Sequence, residues 1–239
     1  MLSILLQQTN PHIHDFGPNY HEFIADAVVK EPWNAYSSLF FLVPVIFWLF
    51  KLYGKYRGNW MIVIILPFLF MNGVGSTLYH AFRDSNFFLV MDFAPAIVIC
   101  LITGTYLWMK ILKEWYWGLL ILLGAYLLAP LMIKLFEKWL GEVGGNIGYF
   151  TIGAAFLTPA LLILLRTKFY KWTLVFWSVL LLIGALVFRS LDHPTPNPWP
   201  ETLPMGTHFL WHILSALAVF TMGYYFYFIK DLEVERLKS

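Results

Sequence analysis

The chain has 239 residues, of which 59% are hydrophobic, 19% aromatic and only 13% charged, and its mean hydropathy of +0.67 lies far outside the range of soluble domains. That composition belongs to an integral membrane protein, and a net charge of +2 without a basic stripe or recognition motif points away from nucleic acid. Cys100 is the single cysteine, so no internal disulfide can form.

The opening MLSILLQQ has no basic flank and too short an apolar core for a secretory signal, so it reads as mature sequence resting near the membrane interface. Residues 1–35 form an outer segment containing Asp15, Glu22, Asp26 and Glu31. Apolar runs follow over residues 36–53, 61–82, 88–109, 115–134, 147–165, 172–189 and 207–229, each near the ~20 residues a helix needs to cross hydrocarbon. The expected architecture is an all-α, seven-transmembrane helix bundle over residues 36–229 with a short tail over 230–239. Pro44, Pro67, Pro95, Pro130 and Pro159 fall inside the first five runs and predict kinks. The connections after runs 1, 3 and 5, with the tail, hold 11 Lys and Arg, against 5 on the other face. This asymmetry predicts an outer N-terminus and a cytoplasmic C-terminus. Between the last two runs, DHPTPNPWPETLPMG carries five prolines and predicts a stiff, extended strap.

Polar residues inside the runs are few. Asp92 is the only carboxylate well inside a span, where an unpartnered charge costs on the order of ~3 kcal/mol. Ser76 and His80 are four apart in GVGSTLYHAF, as are His208 and His212 in THFLWHILSA, a spacing that stacks each pair on one helix face. Alternating helices bring the end of run 2, the start of run 3 and the start of run 7 to the same outer depth. Three histidines with a nearby carboxylate suit Zn²⁺ with an open coordination position. Each residue alone has a plainer explanation: a histidine at a helix end snorkels to water, and Ser76 beside Gly73 and Gly75 eases helix packing. Their coincidence at one depth favours a metal site. Most of His12, His14, His21 and His193 read as solvated, with a second metal site beside Asp15 as the alternative for one of them, and Arg189 with Asp192 reads as an interfacial ion pair or as hydrogen-bond support for the strap.

The stretches GSTLYH (75–80), MDFAP (91–95), FRSLDH (188–193) and HFLWHIL (208–214), preceded by DFGPNY (15–20) and EPWNAYSS (31–38), together resemble the alkaline ceramidase family. That family lies within the superfamily of seven-span metal hydrolases that also includes the progestin/adipoQ receptors and the GPI-lipid remodelling proteins. The resemblance implies that His80, His208 and His212 bind zinc, that Asp92 is the general base and that Ser76 steadies the oxyanion. Family members bind calcium through an acidic N-terminal strip; DFGPNY is one residue shorter and lacks the middle acid, leaving Asp15, Asn19 and Glu31 as the oxygen ligands of a calcium site that is weaker or absent.

The expected function is therefore zinc-dependent hydrolysis of a membrane lipid amide, ceramide foremost, in a bacterial cytoplasmic or a eukaryotic ER or Golgi membrane. A seven-span lipid receptor with structural zinc, and a phospholipase cleaving esters with the same groups, are the alternatives. A retinal pump is excluded because the last run has no lysine before Lys230 to form a Schiff base.

Overall fold

A computed structural model describes residues 13–140, 147–192 and 197–232; the opening residues with His12, His193, and the end of the tail lie outside the described residues. Each expected run forms a helix: α1 Pro32–Lys51, α2 Trp60–Phe82, α3 Asn86–Leu112, α4 Trp115–Leu140, α5 Ile147–Arg166, α6 Trp172–Asp192 and α7 His208–Ile229. Among the described residues there is no strand. Six of these helices are long and apolar enough to cross a membrane, and Gly153–Arg166 within α5 forms a shorter apolar stretch. Large apolar side chains such as Phe50 and Leu127, both 78% exposed, need hydrocarbon around them. The chain is a multi-pass membrane protein built as an all-helical, seven-helix assembly.

The first helix starts at Pro32, ahead of the expected residue 36, because proline is well suited to the first helical turn. It tightens into a 3₁₀ turn over Leu39–Phe41 before continuing. The internal prolines Pro67, Pro95, Pro130 and Pro159 sit within α2 to α5 without ending them.

The chain divides into two compact units. The first comprises residues 1–96 and 177–223, so it holds α1, α2, the start of α3 and most of α6 and α7. Its core is lined by Trp48, Leu69 and Tyr79, each at most 2% exposed. The stretch before α1, part of the expected outer segment, is bonded onto the end of α2: the amides of Lys30, Glu31 and His14 donate to the carbonyls of Ala81 (2.8 Å), His80 (3.1 Å) and Arg83 (3.0 Å). These bonds satisfy carbonyls that a helix end leaves without partners. Gly75 lets α2 and α3 touch backbone to backbone, since a Cβ there would lie 2.4 Å from the Met91 Cβ and 2.5 Å from its carbonyl carbon.

The second unit comprises residues 97–176 and 224–239. There α4 packs on α5, the Trp108 indole donates to the Ala155 carbonyl at 2.9 Å, and Lys110 Nζ donates to the Lys230 carbonyl at 2.6 Å. The lysine thus caps the carbonyl end of α7.

Candidate metal centre

His80 lies in the last turn of α2, and His208 and His212 lie one turn apart at the start of α7. All three are at most 2% exposed. Their ring centroids are 5.1 Å (His80 to His208), 5.0 Å (His80 to His212) and 4.7 Å (His208 to His212) apart. One nitrogen from each falls within 4.8 Å of the others, a spacing that can hold a metal ion. Among the described residues no other group of three His, Cys, Asp or Glu does so.

The donor set fits a metal because the surrounding bonds leave ring nitrogens open. His80 Nδ1 is 2.5 Å from Glu31 Oε2, which puts the ring proton on Nδ1 and leaves the Nε2 lone pair unused; Nε2 is buried without a hydrogen-bond partner. His212 Nδ1 is 2.9 Å from Ser37 Oγ and 3.2 Å from Ser38 Oγ. Both hydroxyls have the Asn34 carbonyl to donate to, at 3.0 and 2.8 Å, so each can accept from Nδ1–H and keep Nε2 free. On His208 it is Nδ1 that is buried without a partner. Buried ring nitrogens left unpaired are costly in an apolar interior, and a cation removes that cost.

Backbone anchoring fixes where the rings sit. Asp192, at the end of α6, accepts from the amides of Thr207 (2.6 Å), His208 (2.8 Å) and His21 (3.3 Å), so it satisfies the first donors of α7 and suits its positive end. Gly206 precedes it with φ +76°, where a Cβ would lie 2.3 Å from Asp192 Oδ2; only glycine meets both demands. Asp192 thereby supports the strap, whereas the Arg189 guanidinium rests over the Trp211 ring at 5.1 Å. Tyr20 covers the site with its ring 4.0 Å from that of His208, and burial pushes its phenol well above the usual range.

Ser76, one turn before His80, is fully buried with its hydroxyl 2.9 Å from that of Ser38. The half-buried Asp92 carboxyl lies close to Ser76 and His80. Asn72 donates to the Asp92 carbonyl, and the contact at Gly75 brings the two helices close enough for that bond. Ser76, His80, Asp92, His208 and His212 therefore lie in one polar cluster.

The residues expected to bind calcium have a different partner. Arg83 Nε and Nη2 bond Asp15 at 2.9 and 3.0 Å, and Nη1 bonds Glu31, while Asn19 is exposed. A guanidinium from the chain itself thus occupies the two carboxylates that the resemblance implies as calcium ligands. Burial alone would lower the Arg83 pKa, but the hydrogen bonds it donates to Asp15 and the charge of Glu31 outweigh it and hold the group above its ordinary value.

Arg83, Ser37, Ser38, Asn34 and Glu22 are contributors that the polar pattern did not single out. Glu22 accepts from the amides of Trp33 and Asn34 (2.9 Å) at the start of α1. Burial nevertheless pushes its carboxyl up to about 7 against those two donors. The available signal was the spacing of Glu31, Asn34, Ser37 and Ser38, which puts four polar groups along one face of a helical segment. No protein-family model matches the chain, and a search of curated proteins finds no relative.

Proposed function

We propose that this protein is a zinc-dependent lipid amidase of the membrane that cleaves ceramide or a close analogue to a fatty acid and a sphingoid base. The observation that carries the proposal is the buried trio of histidines, two of which keep a buried ring nitrogen without a hydrogen-bond partner, beside Ser76 and the Asp92 carboxyl. His80, His208 and His212 would hold the ion. When bound, zinc supplies a Lewis acid that makes water nucleophilic at neutral pH.

The chain's own groups carry the remaining work. Asp92 takes the proton from the attacking water and later delivers it to the departing amine nitrogen. As the water oxygen bonds to the acyl carbon and the C–N bond breaks, the Ser76 hydroxyl donates to the amide oxygen; such a donor is worth ~3 kcal/mol or more at the transition state. Without substrate that O–H is held by Ser38 Oγ at 2.9 Å, and it turns from there to the amide oxygen. Tyr20 limits water entry beside His208. A lipid substrate is favoured because α3 exposes the apolar Phe87, Val90 and Phe93 within five residues of Asp92, so the carboxyl stands on a helix that faces hydrocarbon.

The test uses purified protein in lipid nanodiscs with ceramide or a phospholipid, and mass spectrometry of released fatty acid. Release from ceramide is expected, lost in His212→Ala together with zinc, and lost in Asp92→Asn with zinc retained. Release from phospholipid alone reassigns the site to ester cleavage. Bound zinc without hydrolysis of either lipid supports a receptor or sensor.

A further inference from the structure

We propose that Arg83 is a positioning residue for the histidine cluster: by gripping Asp15 and Glu31 together it holds Glu31 against His80 Nδ1 and so sets the affinity of the site for its metal. The inference rests on the zinc assignment above and extends it to a cation that is part of the chain.

Arg83, Glu31 and His80 are all completely buried. The guanidinium takes both Asp15 oxygens and Glu31 Oε1, with Nη2 also donating to the Pro18 carbonyl at 3.0 Å. Glu31 then has Oε2 left for His80. The Tyr79 and Tyr20 rings lie 4.7 and 5.7 Å from the guanidinium carbon, so the cation is enclosed by π faces as well as carboxylates.

Its backbone is equally committed. Arg83 ends α2 in the left-handed region at φ 55°, a conformation that a residue with a side chain adopts at a cost. Its amide still bonds Tyr79, and its carbonyl accepts from His14.

Removing the guanidinium leaves two buried carboxylates with no cation between them. The two like charges repel, and Glu31 Oε1 loses the guanidinium bond that holds the carboxylate with Oε2 against the ring. His80 then loses the bond that fixes its tautomer and orientation. Lysine can restore charge but not the fork that spans two carboxylates.

The test measures zinc affinity of the full chain in nanodiscs by competition with a chromophoric chelator. It compares wild type with Arg83→Gln, Arg83→Lys, Glu31→Gln and the Arg83→Gln/Glu31→Gln double variant, with thermal unfolding to establish that each is folded. Arg83→Gln is expected to weaken zinc binding about 10–100-fold. Arg83→Lys should recover part of the loss. The double variant should bind no more weakly than the worse single one, because both act through the same bond to His80. Should Arg83→Gln not fold, Arg83→Lys replaces it in the cycle, with a smaller loss that vanishes in the Glu31→Gln background. Affinity equal to wild type in a folded Arg83 variant, or losses that multiply, would overturn the role of Arg83 while leaving the zinc assignment intact. A wild-type protein that binds no zinc overturns both.

Discussion

Gly75→Ala tests whether the close crossing of α2 and α3 is what sets Asp92 beside Ser76. The added methyl would lie 2.4 Å from the Met91 Cβ, 2.5 Å from its carbonyl carbon and 2.6 Å from its oxygen, where ordinary contact starts at 3.4 Å. Because two of these atoms are backbone, no rotamer change relieves the overlap, and α3 must retreat by about 1 Å. Overpacking of this kind costs ~1–3 kcal/mol, and a displacement of ~1 Å at reacting groups costs on the order of 10²-fold in rate. The three histidines lie on α2 and α7, so zinc content should be unchanged while fatty-acid release from ceramide collapses. Gly124→Ala on α4 is the control, since nothing lies within 4 Å of its added Cβ, and it should match wild type. The assay is lipid amide hydrolysis alongside zinc analysis and thermal unfolding in nanodiscs. Activity and stability of Gly75→Ala indistinguishable from the control would refute the reasoning.

Asp192→Ala strips the acceptor from the amides of Thr207 and His208; a loss of about 1–3 kcal/mol and weaker zinc binding are expected, with Asp192→Asn, which keeps one acceptor oxygen, losing less in the same unfolding and chelator assays. Burial raises the Glu22 carboxyl from 4.5 to about 7, so the folded chain holds its proton more tightly than the unfolded chain. Its contribution to stability is full below pH 4.5 and falls as pH rises to about 7; thermal unfolding against pH should show a shallower decline across that window in Glu22→Gln. Because Arg83 already pairs with Asp15 and Glu31, calcium chelation should leave zinc content and the unfolding temperature unchanged, and a calcium-dependent rise in either would contradict the guanidinium's role.

The histidines, Ser76 and Asp92 stood out in the sequence because hydrocarbon penalises polar side chains, so each polar residue inside a long apolar run needs a reason. Helix periodicity and alternating direction bring them to one depth. The support around them was less legible for the same reason reversed. Asp15, Glu22, Glu31 and Arg83 lie in connecting segments, where charge is unremarkable and pattern carries no sign of burial, yet all four are at most 9% exposed. Their burial comes from the docking of residues 13–31 on the end of α2, a contact made by backbone amides that side-chain pattern does not encode. Arg83 counted only as one basic residue in a loop, and its pairing with Asp15 across 68 residues could not be read from spacing. Ser37 and Ser38 were visible only within EPWNAYSS, and their contact with His212 depends on α1 meeting α7.

The central claim is that imidazoles from α2 and α7 share one transition-metal ion used in lipid hydrolysis. Elemental analysis of purified, active protein and of His212→Ala tests it most directly. The account predicts about one zinc per wild-type chain, as expected for a three-ligand catalytic site, and its loss together with fatty-acid release in the variant. Active preparations free of transition metal, or full activity in His212→Ala, would contradict it.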